Sequence, residues 1–146
     1  MLRLALLTAA LALLPVLAKA QSETAAAPGT SAPPLLQVSI FFAGGSAYVY
    51  PREAERLRTF LDDVPAVDNY GVQLQGHTDD IGARDYNLRL SAARVASVRA
   101  WLLDYPIEDA AIELLPLGED APSFSNDTWE GKLSNRRVDV ILKPLM

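Results

Sequence analysis

The sequence predicts an α/β fold, an α+β two-layer sandwich in the order βαβαβ-loop-β, with helices packed on one face of a mixed sheet. Three observations carry this expectation. Short β-branched and aromatic runs alternate with longer stretches of helical period. Gly and Pro punctuate the boundaries between them. A clear two-residue alternation, Arg137-Val138-Asp139-Val140-Ile141-Leu142, closes the pattern as a last strand.

In chain order, Gln37-Val38-Ser39-Ile40-Phe41-Phe42 reads as a first strand that stops at Gly44-Gly45. Pro51 suits the first turn of a helix, and Leu57, Phe60, Leu61 and Val64 recur on one helical face before Pro65 ends it. Val72-Gln73-Leu74-Gln75 is a short second strand that stops at Gly76 and opens into His77-Thr78-Asp79-Asp80-Ile81-Gly82. A second helix is expected from Tyr86 to Leu103, with Asp85 as its N-cap and Pro106 beyond its end. Ile112-Glu113-Leu114-Leu115 is the third strand, and Gly118 to Ser134 reads as one long loop. Parallel neighbours in the sheet are expected to be joined through helices by right-handed crossovers.

The chain has 146 residues, with 13 Lys+Arg, 18 Asp+Glu, one His and no Cys, enough for one ordinary domain and an N-terminal extension. Residues 1–20 place Arg3 before an apolar run from Leu4 to Ala18 and end in Ala18-Lys19-Ala20, the small-x-small pattern of a cleaved secretory signal peptide. That run is shorter than the roughly 20 apolar residues that span a bilayer. Cleavage after Ala20 leaves 126 residues with 11 basic and 18 acidic side chains, hence a formal charge of −7 and no membrane span. Such a balance disfavours nucleic acid as a partner, because a phosphate backbone needs clustered Lys and Arg. Residues 21–34, QSETAAAPGTSAPP, lack the large apolar side chains that offset ordering entropy and read as a flexible tether. The globular domain is then 35–146, without an internal repeat. An exported chain with no Cys must fold on its core alone, and it offers no lipobox cysteine after the leader.

At about 100° per residue, Leu88, Ala92, Val95, Val98 and Leu102 share one arc of the second helix, with Asn87, Leu90, Arg94 and Trp101 on its shoulder. An arginine beside an apolar arc must meet a carboxylate, a backbone carbonyl or a ligand. Asp79, in the loop that returns over the first turns of the helix, is the nearest candidate in sequence. An internal ion pair between Asp79 and Arg94 is the bland alternative to a binding site. His77 is the only His and has no Cys to complete a zinc site, so it reads as a stabilising strand-end residue and no metal or cofactor is expected.

Gly76-His77-Thr78-Asp79, Gly82, Asn87, Leu90-Ser91, Arg94, Ser97-Val98 and, far downstream, Asn135-Arg136-Arg137-Val138 together resemble the OmpA-like C-terminal domain family, found in OmpA, Pal and MotB. The resemblance covers nearly all of 35–146. It implies non-covalent binding of cell-wall peptidoglycan through the diaminopimelate of the stem peptide, in the periplasm, associated with the cell wall or outer membrane and contributing to envelope integrity. It implies Asp79 and Arg94 as principal ligands, with Asn87, Leu90 and Thr78 completing the pocket and Arg137, of the Arg136-Arg137 pair, bordering the groove. One arginine of that pair is expected to point inward and the other outward. The residue types suit the ligand: the free end of diaminopimelate carries an ammonium and a carboxylate on one carbon, which a neighbouring anion and guanidinium fork can each meet with a charge-assisted hydrogen bond. This chain has Ala43-Gly44 where many members place a carboxylate after the first strand, and Val95 where a small Ala commonly follows the arginine.

Two other classes of function bear on the same residues. A periplasmic protein-interaction module of the Tol-Pal kind, binding other envelope proteins through the same surface or the Trp129 loop, fits the same residues. A hydrolase using His77, Asp79 and Asp80 lacks a nucleophile, base and orienting group in one set, so no enzyme is expected.

Overall fold

A computed structural model describes residues 35–145. The expected leader (1–20) and tether (21–34) lie outside the described residues. Four strands, β1 (Leu36–Phe41), β2 (Tyr70–His77), β3 (Ile112–Gly118) and β4 (Arg137–Pro144), form one sheet in the order β1-β4-β2-β3. The helices are α1 (Pro51–Asp62), α2 (Arg84–Leu102) and α3 (Trp129–Asn135). The last strand inserts between the first two: β4 pairs antiparallel with β1 (Val38 opposite Val140) and with β2 (Leu74 opposite Val140). β2 and β3 run parallel and are joined through α2.

Alternation on β4 separates two faces. Val138, Val140 and Leu142 are fully buried with Ile40, Val72 and Leu74 of the neighbouring strands, and Leu57, Leu61, Val95, Val98 and Leu102 of the helices complete this core. Gly76 lets α2 approach the sheet: a Cβ there would lie 2.6 Å from both Ser91 O and Val95 Cγ2. The opposite face is polar, with Ser39, Gln75 and Asp139 in register and Gln75 donating to Gln73 (2.8 Å). Among the described residues, no helix is long and apolar enough to cross a membrane.

Three local expectations are corrected. First, α2 starts at Arg84 with Ala83 at the cap, so Asp85 lies within the first turn, where its charge still favours the helix N-terminus. Second, the buried stripe of α2 is Asn87, Ser91, Arg94, Val95, Val98 and Leu102, while Leu88 (46%), Ala92 and Trp101 (43%) are exposed. The helix packs polar side chains under its first turns because they meet backbone groups of neighbouring segments there: Asn87 Nδ2 donates to Asp79 O in the β2–α2 loop, and the Ser91 hydroxyl accepts from Gly118 N at the end of β3. Third, the expected loop 118–134 contains most of α3. Thr128 caps it by accepting from Gly131 N (3.0 Å), a signal outweighed in the sequence by the surrounding Ser, Asn and Asp.

Candidate functional site

The β1–α1 loop, the β2–α2 loop, the first turns of α2 and the residue leading into β4 converge at one end of the strands and enclose a pocket of about 250 Å³. Asp79, Asn87, Leu90, Tyr86 and Arg136 line it, together with Gly44-Gly45 and Ile81-Gly82. Of the site residues expected from sequence, Asp79, Asn87 and Leu90 therefore meet here. Thr78, Arg94 and Arg137 do not line the pocket.

The expected pairing of Asp79 with Arg94 does not form. Asp79 Oδ2 accepts from Arg136 Nε at 2.6 Å, and its Oδ1 accepts from Ile81 N at 3.2 Å. Arg94 is buried (1% exposed) and donates through Nε, Nη1 and Nη2 to three carbonyls, Ser46 O (2.8 Å), His77 O (2.8 Å) and Ala43 O (3.0 Å). Its guanidinium also stands 5.1 Å from the centre of the Phe42 ring. With no carboxylate within 4 Å among the described residues, desolvation pushes its pKa down to about 10 against the opposing pull of Asp79. Arg94 is thus not at the rim but at the centre of the buried stripe, tying the β1–α1 loop to the end of β2. Carbonyl dipoles solvate it in place of an anion.

Both arginines of the Arg136-Arg137 pair are buried, which corrects the expectation that one is exposed. They face opposite ways. Arg137 Nε donates to Asp139 (3.0 Å to each oxygen) and Nη2 to Ser123 Oγ (2.6 Å), beside the Phe124 ring. Arg136 enters the pocket. Its guanidinium lies 4.9 Å from the centre of the Trp129 ring and against Gly44, where a Cβ would sit 3.2 Å from Nη1. Strand parity could have found this residue: Arg136 continues the even-numbered series of Val138, Val140 and Leu142, which faces the helices, whereas Arg137 belongs with Asp139 on the other side.

Two features leave the pocket ready for a ligand. Arg136 Nη1 and Nη2 have no acceptor among the described residues, because only Nε is used. Asn87 donates from Nδ2 to Asp79 O (3.3 Å) and Glu119 Oε2 (2.5 Å), yet its buried Oδ1 has no donor among the described residues. Thr78 is buried with its N–H on Gly118 O, and its hydroxyl also has no partner among the described residues.

His77 is buried at the end of β2, its Nδ1 3.0 Å from Ala121 O and its Nε2 3.5 Å from Asp139 Oδ2. Burial pushes the Asp139 carboxyl up, but the close approach of the His77 ring, the hydrogen bond from Ser39 and the charge of Arg137 outweigh it and hold it below the usual range. The three residues of the hydrolase alternative thus turn to separate partners: His77 to Asp139, Asp79 to Arg136, and Asp80 to Lys132. Among the described residues, no group of three or more His, Asp or Glu is placed to hold a metal ion.

Residues 41–136, which include every pocket-lining side chain, match the OmpA family. The chain belongs to the OmpA family. It is 35% identical over 107 residues to the probable lipoprotein YiaD of Escherichia coli (strain K12), covering 73% of this chain and 49% of that one. It is 32% identical over 103 residues to the peptidoglycan-binding protein ArfA of Mycobacterium tuberculosis, covering 70% and 32%. The crystal structure of the peptidoglycan-associated lipoprotein from Burkholderia pseudomallei superposes with a TM-score of 0.66 at 27% identity, covering 72% of this chain and 89% of that chain. This chain spans half or less of the length of YiaD and ArfA. The OmpA-family match agrees with the mixed sheet and its central last strand, the fold shared with the Burkholderia protein.

Proposed function

We propose that this OmpA-family domain binds peptidoglycan non-covalently in the bacterial cell envelope, as a periplasmic protein without catalytic activity. The observation that carries this reading is the composition of the pocket: a carboxylate, an unpartnered amide oxygen and two free guanidinium nitrogens around about 250 Å³. That set complements the zwitterionic end of diaminopimelate. Its ammonium donates to Asp79 and Asn87 Oδ1, while its carboxylate accepts from Arg136 Nη1 and Nη2. Leu90 and Ile81 offer apolar wall to its methylene chain. Arg94, buried and unneutralised nearby, adds a positive field and fixes the β1–α1 loop, so its role is positioning. Thr78 and Arg137 support the loop and strand around the pocket. The names of ArfA and of the Burkholderia protein, one peptidoglycan-binding and one peptidoglycan-associated, favour the same ligand. Export through a leader ending at Ala20, with 21–34 as tether, accords with an envelope location.

Sedimentation with purified sacculi tests this. Walls built on diaminopimelate should retain the protein, and walls built on lysine, which lacks the second carboxylate, should retain it poorly. Equal retention on both would reject recognition by the zwitterionic end.

A further inference from the structure

We propose that a second depression beside the pocket, together with the exposed ring of Trp129, takes an N-acetylated hexosamine of the glycan strand while the stem peptide occupies the pocket at Asp79. It rests on the peptidoglycan reading above and adds a sugar subsite to it. The depression is a cavity of about 360 Å³ between the end of β1, the start of α1 and α3. Phe41, Phe42, Tyr50 and Leu133 give it an apolar lining, and Arg52, Glu53 and Ser134 supply polar groups.

Its position ties it to the first pocket. The β1–α1 loop serves both, with Ala43 lining this cavity and Gly44-Gly45 lining the other. Arg136 lines the first pocket while its guanidinium stacks on Trp129. Trp129 and Leu133 are four residues apart on α3 and so share a face, and they are 58% and 41% exposed. One aromatic and one aliphatic side chain thus lead from Arg136 to the second cavity.

The chemistry fits an amino sugar. A pyranose presents a face of C–H bonds that suits the electron-rich face of an indole. The acetamido methyl suits an apolar cavity, and the hydroxyls need the few polar groups that Arg52 and Ser134 provide. The cavity volume suits a small ligand. The platform is also held still, which lowers the ordering cost of binding. A seven-residue helix has little stability of its own. Asn135 fixes it by accepting from Ser123 N and Phe124 N and donating to Phe124 O and Asn126 Oδ1.

The chain has two tryptophans, so Trp101→Phe leaves Trp129 as the sole indole reporter. Titrating that full-length variant with chitotetraose should shift its emission saturably. The complementary Trp129→Phe variant, reporting from Trp101, should not respond. A disaccharide-tetrapeptide should bind the wild-type protein about tenfold more tightly than the same tetrapeptide without sugars. Leu133→Ser should remove that gain and leave the sugar-free tetrapeptide affinity unchanged. Equal affinity of the two ligands for the wild-type protein, or an emission that chitotetraose does not move, would overturn the sugar subsite. Failure of the sugar-free tetrapeptide to bind while chitotetraose still shifts Trp129 would reject the pocket reading and support the sugar subsite.

Discussion

Asp79 has two arginines nearby, and the structure makes its bond to Arg136 the one that matters for folding. The perturbation is a pair of double-mutant cycles, Asp79→Ala with Arg136→Ala and Asp79→Ala with Arg94→Ala. The Asp79 and Arg136 side chains are only 10% and 7% exposed and meet at 2.6 Å, so removing either leaves a buried charge unpaired. Such losses run to about 3–5 kcal/mol. The low end applies here, because the terminal nitrogens of Arg136 border the pocket and Asp79 keeps its bond from Ile81 N. About 3 kcal/mol in a domain of this size lowers Tm by about 12 °C, at roughly 4 °C per kcal/mol. The double variant should recover part of this loss, with a coupling of about 1.5–3 kcal/mol. Arg94→Ala is also destabilising, since it strands three carbonyls, but its coupling to Asp79 should be the smaller of the two. Urea denaturation of the wild-type protein, the three single variants and the two double variants measures both couplings. A coupling of Asp79 to Arg94 equal to or larger than that to Arg136 would refute the assignment of Arg136 as the partner.

Two further outcomes follow from packing and from charge. Gly76→Ala should destabilise the fold by about 1–3 kcal/mol in thermal melts, because its methyl meets the backbone of α2 at Ser91 and the helix must move outward. Asp139 ionises more readily folded than unfolded, so its contribution is complete above the unfolded value of about 3.9 and is lost as pH falls through the lower folded value. Melting temperatures taken between about pH 6 and pH 2 should therefore fall less steeply for Asp139→Asn than for the wild-type protein; parallel curves would exclude this carboxylate as a source of acid sensitivity.

The sequence by itself determined the elements whose signal is local. Alternation in 137–142, the apolar recurrence after Pro51 and the turn at Gly44-Gly45 each report a periodicity or a backbone need that neighbours in the chain express, whereas Gly76, read as the end of the second strand, lies within β2. The residues Asp79, Asn87 and Leu90 were legible as one site for the same reason, since a strand, a short loop and a helix bring them together within twelve positions. Tertiary structure alone decided what depends on distant segments. Arg136 is 57 residues from Asp79, and only the insertion of β4 between β1 and β2 delivers its Nε to that carboxylate. The same insertion, with the β1–α1 loop folded over α2, surrounds Arg94 with the carbonyls of Ala43, Ser46 and His77 and makes it a buried strut. Hydropathy does not find the buried stripe of α2, because it ranks Leu88 and Ala92 above Asn87 and Ser91, whereas burial there follows the hydrogen bonds that the β2–α2 loop and the end of β3 offer. A backbone carbonyl has no signature in a sequence, so a side chain whose partners are carbonyls of remote loops can be placed only once the chain has folded.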